Sequence, residues 1–370
     1  MSECITRVER ITKVEAHPNA DKLEVAHVKG WHCVVRKGVY KDGDLCVYIP
    51  IDSVLPEVLS NTLFEGTNIK PASRIKTIRL RGLYSQGLIC SIDDIRLYLG
   101  NHGKHPKYLE GTDLTALLGI TKYEPPAPSF QSFSGSKTER NPNPNFKKYK
   151  GFENFKNHVD LFNSEDEIVA TEKIHGTNFR AGWIPREMPT KWYAILLFKL
   201  MSLIKKDYKW QWLVGSHNVQ LSPAGSSLYA NIARDYNLKE KLNKGEEIFG
   251  EIFGPTVQKG YHYGLTEGQF GFVAFDLIEN GEWKEFNYQI LRFREMGIDS
   301  PPILFKGKFK DINIDEIVLG DSVMVPAQKI REGVVLRTVQ EESTMLVKGN
   351  RKMLKCISPE YLLKENTDFH

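Results

Sequence analysis

The sequence has few cysteines and no long apolar run. Its five cysteines are scattered, odd in number and without a C-x-x-C pair, so we expect neither a disulfide framework nor a zinc site. The opening residues, MSECITRVER, lack a signal-peptide core. The most apolar run, 192–204, contains Lys199 and is too short to cross a bilayer, which favours an amphipathic helix over membrane contact. We therefore expect a cytoplasmic or otherwise intracellular protein with no membrane partner.

The sequence also lacks a strong excess of charge of either sign, because its basic and acidic residues are nearly equal in number. The 370 residues carry a formal net charge of +4, with 41% hydrophobic and 26% charged residues, which excludes a wholly disordered or fibrous chain. Residues 1–150 hold 22 Lys and Arg against 16 Asp and Glu, and the remainder holds 28 against 30. The basic front half fits contact with phosphates, but only weakly.

The chain is long enough for two domains. Up to about Asp94, short apolar runs alternate with turn signals such as Asp42-Gly43-Asp44, which predicts a small β-barrel or sandwich. Pro, Ser, Asn and Gly dominate residues 122–145, which predicts a linker or a surface loop there. We place the first domain at 1–121, a linker at 122–145 and a second domain at 146–370.

The second domain mixes helical and strand patterns. Helices are predicted at Phe152–Phe162 and Leu228–Leu242. The predicted strands are Ile168–Ile174, Glu247–Phe253, Phe270–Ile278, Gly333–Leu336 and Met345–Lys348. The fold class is therefore α+β.

One short motif carries the chemistry: Glu172-Lys173-Ile174-His175-Gly176-Thr177-Asn178. A lysine stands at the end of an apolar run, and glycine allows a phosphate to approach the backbone. As a nucleophile, lysine must lose its proton, and only about one lysine in a thousand is neutral at pH 7 with the reference pKa. Desolvation or nearby cations favour the neutral form. Taken alone, the motif is short and weak, and a surface strand that ends in an ordinary turn would be the favoured interpretation.

Further motifs follow in order at 249–255, 272–276, 331–335 and 354–356. The ordered set resembles the covalent nucleotidyltransferases, the ligases and mRNA capping enzymes, and most closely the RNA ligases that repair double-stranded RNA. The resemblance spans about Phe146 to Lys355. His175 stands where many relatives have Asp, which weakens a DNA ligase interpretation.

The resemblance implies an ATP-dependent RNA ligase that needs Mg2+ or Mn2+. Lys173 would attack the α-phosphorus of ATP, AMP would pass to a 5′-phosphate of the RNA, and a 3′-hydroxyl would displace it. The implied catalytic residues are Lys173, His175 and Lys355, with Lys355 beside the α-phosphate. The implied RNA partner is a nicked duplex with 3′-hydroxyl and 5′-phosphate ends, and no obligate protein partner is predicted.

The same resemblance implies the nucleotide contacts. Glu251 and Glu332 would accept from ribose hydroxyls or from water on the metal, so both are the predicted metal residues. Phe275 would stack on adenine, and Glu172 would accept from its amine. Other implied contacts are Asn178, Ser216, His217, Lys329 and Arg331. The second lysine of the last motif stays open among Lys348, Arg351 and Lys352.

The front domain resembles a known module through His17-Pro18-Asn19-Ala20-Asp21 and the residues that follow. This is similar to the opening of tRNA-binding OB-like modules, and 74–88 resembles the Deinococcus-type RNA ligases, which place an OB domain first. From Lys70 to Gly82 there are five basic residues and no acid, so nucleic acid contact is predicted at Arg74, Lys76, Arg79 and Arg81. A solvated strand face is the other interpretation.

The expected architecture is therefore an OB-like β-barrel followed by an adenylyltransferase domain with ATP-grasp-like antiparallel sheets. Only 15 residues follow Lys355, too few for the last OB domain that a DNA ligase or capping enzyme would need. One function of a different class stays open: the chain could be a non-catalytic RNA-binding protein that holds RNA ends.

Overall fold

The structure is a computed structural model that describes residues 5–65, 73–100, 105–124, 142–205, 207–258 and 260–363. It contains two compact units. The first comprises Met1–Pro126, Phe152–Asn163 and Leu354–His370, and the second comprises Ala127–Gly151 and Ser164–Met353. Most of the predicted linker lies outside the described residues. The predicted domain boundaries stay a prediction.

The first unit is built mainly of short strands. They are β1 Arg7–Arg10, β2 Lys13–Ala16, β3 Leu23–Val28, β4 Trp31–Arg36, β5 Leu45–Ile49, β6 Ser53–Val54, β7 Thr77–Leu80, β8 Leu83–Gln86, β9 Leu88–Ser91 and β10 Thr121–Lys122. Its helices are α1 Glu57–Phe64 and α2 Ile92–Leu99.

Antiparallel pairing organises these strands around two apolar clusters. β5 lies between β1 and β9, and β3 lies between β2 and β4. Along β4 the buried residues alternate, so that Trp31, Cys33 and Val35 enter one cluster. Leu59 and Ile95 bring the two helices into the other cluster. The short apolar runs before Asp94 thus include true strands such as β3 and β5.

The stretch 152–163 also belongs to the first unit, and the helix predicted over Phe152–Phe162 is wrong. The backbone of Asn154 pairs with Lys355 in an isolated parallel bridge, which requires extended backbone. The side chain of Asn154 then accepts from the N–H of Lys156 and starts a single 3-10 turn, Phe155–Asn157. The last strand, β20 Met353–Ile357, and the helix α8 Pro359–Leu362 follow near the end of the chain.

The second unit contains the longer strands. They are β11 Glu167–Glu172, β12 Thr177–Pro185, β13 Trp210–Ser216, β14 Gln220–Leu221, β15 Glu246–Phe253, β16 Gly271–Glu279, β17 Glu282–Trp283, β18 Ile303–Lys308 and β19 Gly333–Thr338. The helices are α3 Trp192–Ile204, α4 Leu228–Asp235, α5 Leu238–Lys241, α6 Phe286–Glu295 and α7 Ile314–Ile317, with a 3-10 turn at Phe309–Asp311.

Two antiparallel arrangements of strands position the site residues. One sheet has the order β14-β13-β12-β15-β16-β17, and elsewhere β11 lies between β18 and β19. Period-two alternation on β15 sends Ile248 and Ile252 into the apolar core with α4, α5 and α6. Phe249 and Glu251 therefore face the other side of the sheet. The antiparallel sheets and the mixed elements confirm the predicted α+β class.

Other element predictions had mixed outcomes. The predicted helix Leu228–Leu242 divides into α4 and α5 because Asn237 takes a left-handed conformation with φ 52°. The strand predicted at Met345–Lys348 is wrong: this stretch forms bends and a turn, and Met345 is 93% exposed. The apolar run 192–204 forms the predicted helix, α3.

Candidate active site

Lys173 lies directly after β11, and strand pairing fixes its position. Glu172 pairs with Val334 on β19, and the backbone N–H of Lys173 donates to the carbonyl of Gly333 over 2.9 Å. This register brings the lysine beside Glu332. The Nζ of Lys173 lies 2.6 Å from Oε1 of Glu332, whose side chain is buried. Two residues predicted for the site from separate motifs thus form an ion pair.

His175 is the second neighbour of Glu332. Its Nδ1 lies 3.3 Å from Oε2 of Glu332, and its backbone N–H donates to the hydroxyl of Tyr263 over 2.9 Å. The ring of Tyr261 packs edge-on against the imidazole at 4.8 Å. Neither tyrosine is among the site residues predicted from the sequence. Both tyrosines lie in a loop rather than a strand, so no periodic pattern in the sequence signals them.

Gly176 is required by the close approach of two strands. A Cβ at this position would lie 2.2 Å from the carbonyl oxygen of Ile252, a distance that no side chain tolerates. In the same register Asn178 on β12 pairs with Glu251 on β15. The glycine therefore lets β12 start close enough to β15 for Asn178 and Glu251 to lie side by side.

The two predicted metal residues differ in protonation. Burial raises the pKa of Glu251 to about 8, although Lys173 opposes the shift, and the nearby Glu332 adds to it. Burial also acts against the charged form of Glu332, but Lys173 and His175 outweigh it and lower its pKa to about 2. Glu332 is therefore ionised near neutral pH while Glu251 is largely protonated. In the described part of the chain, no group of three or more His, Cys, Asp or Glu side chains is arranged to hold a metal ion.

Glu172 and Asn178 each have a buried oxygen acceptor that lacks a hydrogen-bond partner. Glu172 accepts through Oε2 from the backbone N–H groups of Val323 and Met324, at 2.8 and 3.2 Å, whereas its Oε1 has no partner. The Oδ1 of Asn178 is likewise buried without one. Buried acceptors are nearly always satisfied in proteins. Both atoms fit contact with hydrogen-bond donors of a bound ligand.

The remaining predicted nucleotide residues of the second unit have varied surroundings. Phe275 is partly exposed on β16, with its ring edge-on to Tyr149 at 5.1 Å. The hydroxyl of Ser216 accepts from the N–H of Val219 at 3.3 Å and so closes a turn. His217 is half-buried, and burial together with the nearby Arg180 lowers its pKa.

Lys329 and Arg331, the basic residues that precede Glu332 in the chain, differ in exposure and in their partners. Lys329 is 72% exposed, and its Nζ lies 2.7 Å from Oδ2 of Asp321. Arg331 is held by its backbone N–H, which donates to Gly320 over 2.9 Å. Its Nε is buried and has no hydrogen-bond partner. A phosphate role for either residue stays a prediction.

The last motif, 354–356, lies in the first unit. Lys355 lies on β20 in the first unit, where its backbone N–H donates to Glu153 over 2.9 Å. Two of the open alternatives for the second lysine are engaged elsewhere. Arg351 binds Asp276 and Glu341, and Lys352 lies 2.6 Å from Asp166. Catalytic roles for Lys355 and its companion stay predictions.

In the first unit, the predicted basic residues lie around the β7–β8 hairpin. Lys76, Arg79 and Arg81 are exposed. Arg74 is different, because its guanidinium binds Asp52 at 2.7 Å and lies over the ring of Tyr123 at 3.5 Å. Arg74 is thus part of the folded framework, which leaves the other three as the accessible cations.

The predicted module motif at His17 holds this hairpin in place. The Nε2 of His17 lies 3.1 Å from the carbonyl oxygen of Leu80, and the side-chain amide of Asn19 donates to the carbonyl of Arg81 over 3.0 Å. Arg81 and Gly82 both have positive φ, as the tight turn between these strands requires. Residues of the recognised motif therefore act by positioning the basic turn.

Comparison with known proteins identifies the two modules. A family model described as RNA ligase matches residues 166–357, which is more than half of the chain. The chain belongs to the RNA ligase family. A second model, described as an OB-fold domain, matches residues 5–92. Both parts of the predicted architecture are confirmed.

Solved structures of the RNA ligase of Naegleria gruberi have a similar fold. A variant of that enzyme with ATP and manganese is 22% identical, has a TM-score of 0.70 and covers 97% of this chain and 98% of its own. A variant with AMP and manganese is 23% identical, with a TM-score of 0.72, and covers 99% and 100%.

A curated sequence relative matches only part of the chain. The phenylalanine–tRNA ligase beta subunit of Synechococcus sp. is 32% identical over 120 residues, which are 30% of this chain. The match spans 14% of the length of that subunit.

Proposed function

We propose that this member of the RNA ligase family uses ATP to join 5′-phosphate and 3′-hydroxyl ends of RNA, with Lys173 as the nucleophile. The observation that carries the proposal is the ion pair of Lys173 with the buried Glu332, with His175 on the other carboxylate oxygen. A partly exposed lysine is held at a fixed point between two strands. Such fixed placement is what phosphoryl transfer chiefly requires of a protein.

The chain's own residues fit adenosine. The unpartnered Oε1 of Glu172 would accept from the exocyclic amine of adenine, and Phe275 offers a partly exposed ring for stacking. The unpartnered Oδ1 of Asn178 would accept from a ribose hydroxyl or a water. These contacts satisfy the acceptors of Glu172 and Asn178 that the protein alone leaves unpaired.

Glu251 and Glu332 also fit a divalent cation, Mg2+ or Mn2+, bound together with nucleotide phosphates. Cations of this kind commonly take one or two protein carboxylates and complete their shell with phosphate oxygens and water. The cation would neutralise charge on the phosphates. Because Glu251 is largely protonated in the free protein, it would lose its proton when it becomes a ligand.

The first step forms the bond from Nζ of Lys173 to the α-phosphorus and breaks the bond from that phosphorus to pyrophosphate. Nζ must leave Glu332 and lose a proton before its electron pair is available. In the next step AMP passes to the 5′-phosphate of the RNA, and the 3′-hydroxyl then displaces AMP to form the new phosphodiester. Lys355 and His175 are the residues proposed to assist.

We further propose that the substrate is a nick in duplex RNA or in an RNA-containing duplex. The exposed Lys76, Arg79 and Arg81 offer charge for the phosphate backbone, and this region has few aromatic side chains for base stacking. Contact with the backbone suits a duplex, whose bases are already stacked.

The test is a denaturing gel after incubation with α-labelled ATP and Mg2+ or Mn2+. A covalently labelled chain, followed by sealing of nicked duplexes that carry RNA or DNA on each side, is the expected result. No covalent label with either metal would contradict the proposal. It would favour a non-catalytic protein that holds RNA ends, an alternative that the partial match to a tRNA ligase subunit supports.

A further inference from the structure

Helix α3 presents its apolar face to solvent. None of its residues is buried, and Leu203 is 84% exposed. The exposed large apolar residues of the helix are Trp192, Tyr193, Leu196, Leu197, Leu200, Leu203 and Ile204. A surface helix normally turns its apolar stripe toward the core. α3 departs from that pattern, because a large apolar face points outward.

The core of the second unit does not explain this helix. α3 connects β12 to β13, whose ends Pro185 and Trp210 pair directly, so the hairpin closes without it. No side chain of α3 belongs to the main core cluster or packs against it. Large exposed apolar patches on proteins mark binding surfaces. The composition of α3 therefore points to a partner outside the described fold.

Charge around the helix indicates which partner. Residues 186–209 contain six basic and two acidic side chains, a net charge of +4 that equals the net charge of the whole chain. Lys191 and Lys205 flank the helix, and Lys199 lies on its exposed side. An apolar face bordered by cations matches a surface that is apolar inside and negative at its edge.

We propose that α3 lies in the plane of an anionic lipid surface, with its apolar face among the acyl chains and its lysines at the headgroups. Thirteen residues at about 1.5 Å each reach about 20 Å, less than the roughly 30 Å of a hydrocarbon core. Among the residues that the structure describes, no helix is long and apolar enough to cross a membrane. An in-plane position is the geometry that this length allows.

The width of the apolar face favours lipid over a protein groove. A helix bound in a groove uses a narrow row of anchors at i, i+3 or i+4, and i+7. In α3 the exposed apolar residues come in adjacent pairs, Trp192–Tyr193, Leu196–Leu197 and Leu203–Ile204, which span a broad arc. Trp192 and Tyr193 at one end suit the membrane interface. The sequence-based expectation of no membrane partner is replaced by this proposal.

The experiment uses the full chain and sedimentation with vesicles, and it does not depend on ligase activity. Vesicles of phosphatidylcholine alone are compared with vesicles that also contain phosphatidylserine. The chain should sediment with the anionic vesicles, and added salt should weaken this binding because it screens the lysines. Failure to bind anionic vesicles at low salt, or equal binding to both compositions, overturns the proposal.

Two variants separate the apolar and the charged contributions. Leu196→Ser, Leu200→Ser and Leu203→Ser together should abolish vesicle binding. Their matched control replaces exposed apolar residues of other helices, Val58→Ser, Leu97→Ser and Leu291→Ser. Lys199→Gln, Lys205→Gln and Lys209→Gln together should weaken binding about a hundredfold, since each basic residue near an anionic surface contributes roughly fivefold.

The control for the lysine variant is the triple change Lys13→Gln, Lys308→Gln and Lys310→Gln, which removes exposed lysines elsewhere. All variants should keep the thermal unfolding midpoint of the parent. Sedimentation velocity tests whether a second copy of the chain, rather than lipid, covers the apolar face of α3. A dimer that the serine variant abolishes, without vesicle binding by the parent, overturns the lipid proposal in favour of self-association.

Discussion

The Nζ of Lys173 and Oε1 of Glu332 lie 2.6 Å apart, although 159 positions separate the two residues in the chain. The antiparallel pairing of β11 with β19 produces this contact, because it sets Glu172 opposite Val334. The buried carboxylate of Glu332 stays ionised at neutral pH, since its pKa is lowered to about 2. The ion pair thus positions the lysine, and Nζ must leave Glu332 before it can attack a phosphate.

Lys173→Ala should abolish the covalent AMP adduct and ATP-dependent sealing. Sealing of RNA that is already adenylylated at its 5′-phosphate should persist, because that step does not use the nucleophile. Lys173→Arg should also be inactive in adduct formation, since a guanidinium keeps its proton at any workable pH. Denaturing gels with labelled ATP measure the first reaction, and ligation of pre-adenylylated strands measures the second. A stable adduct in the Ala variant would assign the nucleophile to another lysine.

Most of the candidate site could be predicted because each motif is short and local. The strand before Lys173, the turn at Gly176 and the strand with Glu251 are all visible as apolar runs and a glycine. The support around them is not local. The amides of Val323 and Met324 that hold Glu172, and the hydroxyl of Tyr263 that holds His175, come from loops without any periodic pattern.

Glu332→Gln and Glu251→Gln should each slow formation of the AMP adduct by roughly two to three orders of magnitude, as removal of a preorganised electrostatic group does. Single-turnover rates with saturating ATP and metal are the measurement. Glu165→Gln is the control, because Glu165 is an exposed acid paired with Lys308 and Lys310. Near-parental rates in both site variants would make the ribose and metal roles untenable.

A buried acid away from Lys173 makes stability depend on pH. Glu247 is 2% exposed, and burial raises its pKa from 4.5 to about 8, although Arg180 and Lys147 oppose the shift. An acid whose pKa is raised by folding binds its proton more tightly in the folded state than in the unfolded state. Stability is therefore lost as the pH rises above 4.5, and the loss is complete above about pH 8.

Glu247→Gln should remove this loss. Relative to the parent, the variant should gain about 3 kcal/mol of unfolding free energy between roughly pH 6 and pH 9, because the loss continues over about two pH units up to the pKa near 8, at about 1.36 kcal/mol for each unit. Thermal or urea unfolding of both proteins at the two pH values gives the difference. The exposed Glu267→Gln is the control and should track the parent. Parallel curves for Glu247→Gln and the parent would contradict the assignment.

Asp276 is the charged centre of the second unit. It is fully buried and accepts from Tyr149 and Gln289, each at 2.8 Å, while Arg337 and Arg351 lower its pKa to about 2 against the effect of burial. In the sequence Asp276 stands out only as the end of the Phe275 motif, because the two arginines are distant along the chain. Four partners on one carboxylate mark it as a stabilising residue.

Asp276→Ala should lower the free energy of unfolding by about 3–5 kcal/mol, because it removes the buried carboxylate that two buried arginines share and leaves them, among the described residues, only Glu341 as an acidic partner. The stabilising effect of the carboxylate is present above its unfolded pKa near 3.8 and is lost as the pH falls through about 2. Urea unfolding near neutral pH measures the change, with the exposed Asp235→Ala as the control. A loss no larger than that of the control would show that the ion pairs add nothing to stability.

The basic hairpin of the first unit offers the last prediction. Lys76→Ala, Arg79→Ala and Arg81→Ala together should weaken binding to a nicked duplex and reduce the slope of log affinity against log salt by about 2 to 3, since each lost phosphate contact removes about 0.9. Arg74 is left intact because its ion pair with Asp52 supports the fold. The AMP adduct should form at the parental rate, since the residues proposed to contact adenine and ribose lie in the second unit. The control removes three other exposed lysines, Lys13, Lys41 and Lys107. An unchanged salt slope in the hairpin variant, or an equal change in the control, would move the RNA contact away from β7 and β8.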